Sequence, residues 1–98
     1  MATSPNMPVD TAAVGWNDGT TDHIRVYSSD GYNVTERCWD GQSWVAGGFS
    51  AQGEQVSATC WQGPGGTRLR VYCNFEDQTV EYCSDNGGAW YQGGYTPS

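Results

Sequence analysis

The stretch that decides the fold is HIRVYSSDGYNVTERCWDGQSW, residues 23–44. Its Arg-Val-Tyr, its Glu and its Cys all return 45 positions later in RLRVYCNFEDQTVEYCSDNGGAW, residues 68–90. Working outward, TAAVGW (11–16) matches VSATCW (56–61), NVTERCWD (33–40) matches QTVEYCSD (78–85), and SWVAGGFS (43–50) matches AWYQGGYT (89–96). A fixed period of this length means two copies of one supersecondary unit. Each copy holds four short runs rich in Val, Tyr, Thr and Trp, divided by Asp-Gly or Gly-rich turns, the pattern of antiparallel strands. No segment carries helical periodicity. The chain is therefore expected to be all-β, with a flexible leader over 1–10 and two four-stranded antiparallel blades over 11–54 and 55–98.

Composition narrows the function. A chain of 98 residues with 14 Gly and only 15% charged residues is turn-rich, and one this short buries a modest fraction of its surface. The net charge of −7 excludes nucleic acid and disfavours anionic membrane surfaces. No apolar run is long enough for membrane insertion. There is no Lys; of the cations Arg25, Arg37, Arg68 and Arg70, the pair Arg25 and Arg70 occupies equivalent places in the two copies. Cys38, Cys60, Cys73 and Cys83 match no zinc spacing, and the single His23 adds little, so no metal and no cofactor is expected. Only Cys38 and Cys83 are equivalents, which favours buried free thiols over a symmetric disulfide framework. The opening MATSPNMPVD lacks the basic and apolar regions of a secretory signal, so the expectation is a cytoplasmic protein or one exported by another route.

A four-stranded unit of about 45 residues has the size of one β-propeller blade. Two blades alone leave flat faces and edges bare. Three chains would supply six blades to a closed ring, and two chains would supply four. The rival is a monomeric eight-stranded sandwich, which gives side chains no reason to recur at this interval.

Folding the chain at Asp30-Gly31 sets Ser29 opposite Tyr32, Tyr27 opposite Val34 and Arg25 opposite Glu36. The same spacing across NFED sets Arg70 opposite Glu81. Trp39 lies three positions from Glu36 and so points to the other face, and the loop DGQS sets Trp44 opposite Trp39. As plain ion pairs these contacts are worth ~0–1 kcal/mol. Repeated twice, a guanidinium, a carboxylate and flat indoles suit a ligand with adjacent hydroxyls and an apolar patch, which is the shape of a sugar. Catalysis is not expected: glycoside hydrolysis usually needs two carboxylates, each cleft offers one Glu matched to an Arg, and Asp40 and Asp85 read as turn caps. The alternative is a scaffold propeller mediating protein–protein interaction.

IRVY, TERCWDG, SW and GGF in the first copy, with LRVY, VEYC, AW and GGY in the second, resemble the small fucose-binding β-propeller lectins. The resemblance covers about Thr11 to Thr96. It implies a six-bladed β-propeller completed by trimerisation, a homotrimeric lectin that holds L-fucose and fucosylated glycans multivalently in clefts between blades. By similarity, Arg25 and Arg70 would donate to the sugar, Glu36 and Glu81 would accept, and Gly48 or Gly94 would offer a backbone contact. The strong, inter-chain cleft would combine Arg70, Glu81 and Gly94 with Trp39 and Trp44. The weakened, intra-chain cleft would combine Arg25, Glu36, Gly48 and Trp90, with Ser84 standing where the family has its stacking Trp.

Overall fold

A computed structural model of the chain describes residues 8–97. Most of the expected flexible leader therefore lies outside the described residues. Eight strands follow in order: β1 (Asp10–Asn17), β2 (Asp22–Ser29), β3 (Asn33–Trp39), β4 (Trp44–Gln52), β5 (Gln55–Gly63), β6 (Gly66–Phe75), β7 (Gln78–Asp85) and β8 (Tyr91–Gln92). They form two four-stranded antiparallel sheets, β1-β2-β3-β4 and β5-β6-β7-β8. Alternation makes each strand two-sided: in β3, Val34, Glu36 and Cys38 are buried while Thr35 and Arg37 are exposed.

The sheets meet over one shared core. Tyr27, Val34 and Phe49 from the first pack with Val56, Val71 and Cys73 from the second. Trp90, in the loop before β8, closes this layer edge-on to Phe49 at 4.7 Å and to Tyr27 at 6.2 Å. Polar contacts hold the sheets in place. Val56 N donates to Asp10 Oδ2 at 2.8 Å, and the buried Ser29 hydroxyl donates to Gly53 O at 2.8 Å. The four thiols are unpaired.

The propeller expectation is corrected. Both sheets are flat and open, neither curled nor closed on itself, and the molecule is a slab of 44 × 39 × 17 Å. The repeat dictates a four-stranded unit and its strand order. It carries no information on how many units close a ring, and here the two units bury their core against each other.

The register also departs from the expected one, by two residues. Ser29 pairs with Val34, Tyr27 with Glu36 and Arg25 with Cys38. The turn centres on Gly31 and Tyr32 because Asp30 Oδ1 accepts from both Tyr32 N and Asn33 N, with Gly31 supplying a φ of 101°. In the second sheet Tyr72 pairs with Glu81 and Arg70 with Cys83. That hairpin turns through Glu76 and Asp77 alone, both left-handed, rather than through four residues. Trp39 does pair with Trp44, their rings 5.8 Å apart and tilted by 47°.

Candidate functional site

A cavity of about 590 Å3 opens between the two sheets. Arg25 reaches it from β2, Glu36 and Cys38 from β3, and Gly48 from β4. The second sheet contributes Leu69 from β6, Ser84 from β7 and the Gly87–Trp90 loop. The structure thus brings Arg25, Glu36, Gly48, Ser84 and Trp90 together in one cleft. Of the other expected set, Arg70 and Glu81 lie on β6 and β7 and Gly94 follows β8, whereas Trp39 and Trp44 lie on β3 and β4, and none of the five lines this cleft.

Glu36 is the fixed point of the cleft. A bulge between Thr35 and Arg37 opens the ladder to β4, and the Phe49 N–H released there donates to Glu36 Oε1 at 3.3 Å. Tyr27 O–H donates to Glu36 Oε2 at 2.8 Å. Burial first, then the neighbouring carboxylate, pushes the Tyr27 hydroxyl far above its usual range, so it stays a donor. Space for the carboxylate exists only because position 47 has no side chain: a Cβ there would lie 2.0 Å from Glu36 Oε1. Gly48, the residue singled out from sequence, has open space around it.

Arg25 is not the partner of Glu36. Its Nη1 donates to Asp40 Oδ1 at 2.9 Å and to the carbonyls of Ile24 and Trp39, and its guanidinium carbon lies 5.0 Å from the centre of the Trp16 ring. Asp40, read from sequence as a turn cap, instead anchors this cation. The second sheet repeats the arrangement: Arg70 donates to Asp85 at 2.8 Å and lies 5.0 Å from Trp61, while Tyr72 O–H donates to Glu81 at 2.7 Å. The sequence reading assigned no role at the carboxylates to Tyr27, Tyr72 or Gly47. The signal for the tyrosines was present, since each follows its Arg by two positions in both copies.

Cys38 lines the cleft as a thiol, its pKa raised by burial and then by Glu36. Ser84 is 4% exposed, and its hydroxyl donates to Gly88 O at 2.9 Å, tying the Gly87–Trp90 loop to β7. Among the described residues no cluster of three or more His, Cys, Asp or Glu could hold a metal ion, and no helix is long and apolar enough to cross a membrane.

No family model matches the chain, and no curated protein matches it either. The resemblance to fucose-binding propeller lectins is corrected accordingly, and with it the multivalent L-fucose sites, the homotrimer and the scaffold propeller, all of which require a closed ring that two open sheets do not form. The physical reason lies in the motifs. Runs such as IRVY and GGF are made of residue types that strands and bulges favour in general, so they report local structure before they report ancestry.

Proposed function

We propose that the protein is a non-catalytic binding protein whose inter-sheet cleft takes a small, net-neutral ligand presenting both an acceptor and a donor. The zwitterionic α-amino acids are the simplest class of that kind. The observation that carries the reading is the convergence of Arg25, Glu36, Ser84 and Trp90, drawn from both sheets, on a single cavity of about 590 Å3. That volume falls within the roughly 300–1,000 Å3 of small-molecule sites.

Donors and acceptors remain available on both charged groups. Arg25 spends Nη1 on carbonyls and Asp40, which leaves Nε–H and most of Nη2 for a ligand carboxylate. Glu36 accepts two hydrogen bonds, which leaves lone pairs for an ammonium. Leu69 and Trp90 offer apolar surface to a side chain. Support for the non-catalytic part comes from Glu36 being the single carboxylate among the lining residues and from a Cys38 thiol that burial keeps protonated.

The test is a nuclear magnetic resonance titration of the isotope-labelled chain with a panel of α-amino acids. Saturable shifts of the Gly48 amide and the Trp90 indole are expected with at least one of them, weakened about tenfold or more by Glu36→Gln. No saturation at about millimolar concentration, or saturation indifferent to Glu36→Gln, would dispose of the reading.

A further inference from the structure

His23 stands two residues before Arg25 on β2, so both side chains project from one face of the first sheet. Trp16, its partner on β1, stacks on the imidazole at 5.2 Å and also lies beneath the Arg25 guanidinium. Each ring nitrogen of His23 meets a carboxylate. Nδ1 lies 2.6 Å from Asp40 Oδ1, in the turn after β3, and Nε2 lies 2.9 Å from Asp18 Oδ2, in the turn after β1. Asp40 Oδ1 is the same oxygen that accepts from Arg25 Nη1. The nearby Asp22, on the same strand, is engaged with Asn17 instead.

A neutral imidazole has one N–H and one lone pair, so both carboxylate contacts are hydrogen bonds only in the imidazolium form. Loss of the proton turns one of them into a lone-pair contact at hydrogen-bond distance. Asp18 is the less able to yield, because its Oδ1 accepts from Thr20 N and Thr21 N, both at 2.8 Å. Asp40 is held from its other side by Arg25, through one short bond and one of 3.5 Å. The movement therefore falls on Asp40 and on the guanidinium it holds.

We propose that His23 is a pH-responsive positioning residue for the inter-sheet cleft: its protonation sets Asp40, and Asp40 sets the Arg25 guanidinium that lines the cavity. The proposal rests on the cleft being the binding site of the chain. The neighbouring carboxylates, Asp18 first and then Asp40, raise the pKa of His23, which extends the coupled state above the ordinary histidine range. The second sheet supplies an internal comparison. It repeats Trp, Arg and Asp as Trp61, Arg70 and Asp85, but Arg68 occupies the place of His23, 3.4 Å from Asp85, and Gly63 the place of Asp18. A permanent cation there makes that copy insensitive to neutral pH.

The test follows the Arg25 and Arg70 Nε–H signals and the His23 ring signals of the full chain by nuclear magnetic resonance from about pH 5 to about pH 9. The Arg25 signal should shift with the midpoint of the His23 ring, and the Arg70 signal should stay level. His23→Arg, which copies the second sheet, should abolish the Arg25 transition. Asp40→Asn should leave His23 titrating against Asp18 while Arg25 no longer follows. An Arg25 signal that stays flat while His23 titrates, or one that still titrates in His23→Arg, overturns the proposal. If Asp40→Asn does not fold, the first two comparisons decide alone. No ligand enters this experiment, so an amino-acid panel that fails to bind would remove the cleft reading and leave the coupling of His23 to Arg25 separately measured.

Discussion

Replacing Gly47 by Ala adds one methyl group, yet it should be among the costliest substitutions in the chain. The added Cβ would sit 2.0 Å from Glu36 Oε1, 2.5 Å from its Cδ and 2.6 Å from its Cγ. Backbone conformation is not the obstacle, since Gly47 does not adopt a positive φ. Moving the carboxylate is costly because Glu36, 6% exposed, holds the Tyr27 hydroxyl and the Phe49 N–H. Admitting the methyl means giving up both hydrogen bonds to a charged group, each worth about 1.5–3 kcal/mol, with relaxation of the bulge recovering part. The expected loss is about 3 kcal/mol, or roughly 12–24 °C in Tm for a domain of this size. Gly48→Ala meets nothing within 4 Å and should cost under about 0.5 kcal/mol. Gly93→Ala should fall between them, because its Cβ would approach Glu81 Oε1 to 2.1 Å but the Tyr72–Glu81 pair is only partly buried. Urea unfolding followed by tryptophan fluorescence measures all three. Equal midpoints for Gly47→Ala and Gly48→Ala would refute the steric argument.

Stability should decline on the alkaline side through His23. Its folded pKa stands above the ordinary 6.5, so its contribution is complete below that value and is lost as pH rises through the folded pKa; Tm should fall there in the wild type and hold level in His23→Arg. The acid side has the opposite sign: Tyr91 and then Arg70 draw Asp85 down to about 2, so its contribution is present above the ordinary 3.8 and lost as pH falls toward 2. An acid limb of the Tm profile unchanged by Asp85→Asn would contradict that. The β6–β7 turn places Glu76 and Asp77 at φ of 51° and 64°, so the double change Glu76→Asn, Asp77→Gly should raise stability by about 0.4–1 kcal/mol. A lower urea midpoint would show that those carboxylates do more than turn the chain.

What the sequence made legible depends on parity. Reading Asp30-Gly31 as the two-residue turn misplaced every pair in the β2–β3 hairpin, because the Asp30 side chain captures two backbone donors and moves the turn one residue on. The resulting slip is two residues, and two residues is one full period of a strand, so Arg25 and Glu36 stayed on one face although they lost each other as partners. The Trp39–Trp44 pair was readable because its short DGQS loop left little freedom of register. Gly47 was not readable beside Gly48, since only the bulge decides which of two adjacent glycines meets a carboxylate. Ring closure was beyond reach for a different reason: a repeat states what recurs, and two open sheets satisfy it as fully as a ring does.

Two copies stacked once cannot have equivalent surroundings, and this asymmetry accounts for where the two sheets differ. The Tyr-Glu-Gly unit of the first sheet lies under the second, so Tyr27 is fully buried and Glu36 is 6% exposed, open only to the cleft. The same unit in the second sheet, Tyr72, Glu81 and Gly93, has no third sheet over it in the chain and remains partly exposed. Burial raises the cost of any mismatch around a carboxylate, because fewer alternatives to its protein partners remain. Identical residues thus carry different energies in the two copies. The first copy also holds the titratable imidazole, beside the cation of the cleft, whereas the second has the fixed charge of Arg68. A change of one proton therefore acts beside Arg25, because the imidazole and the guanidinium share the same oxygen of Asp40 and a shift of that carboxylate is felt by both.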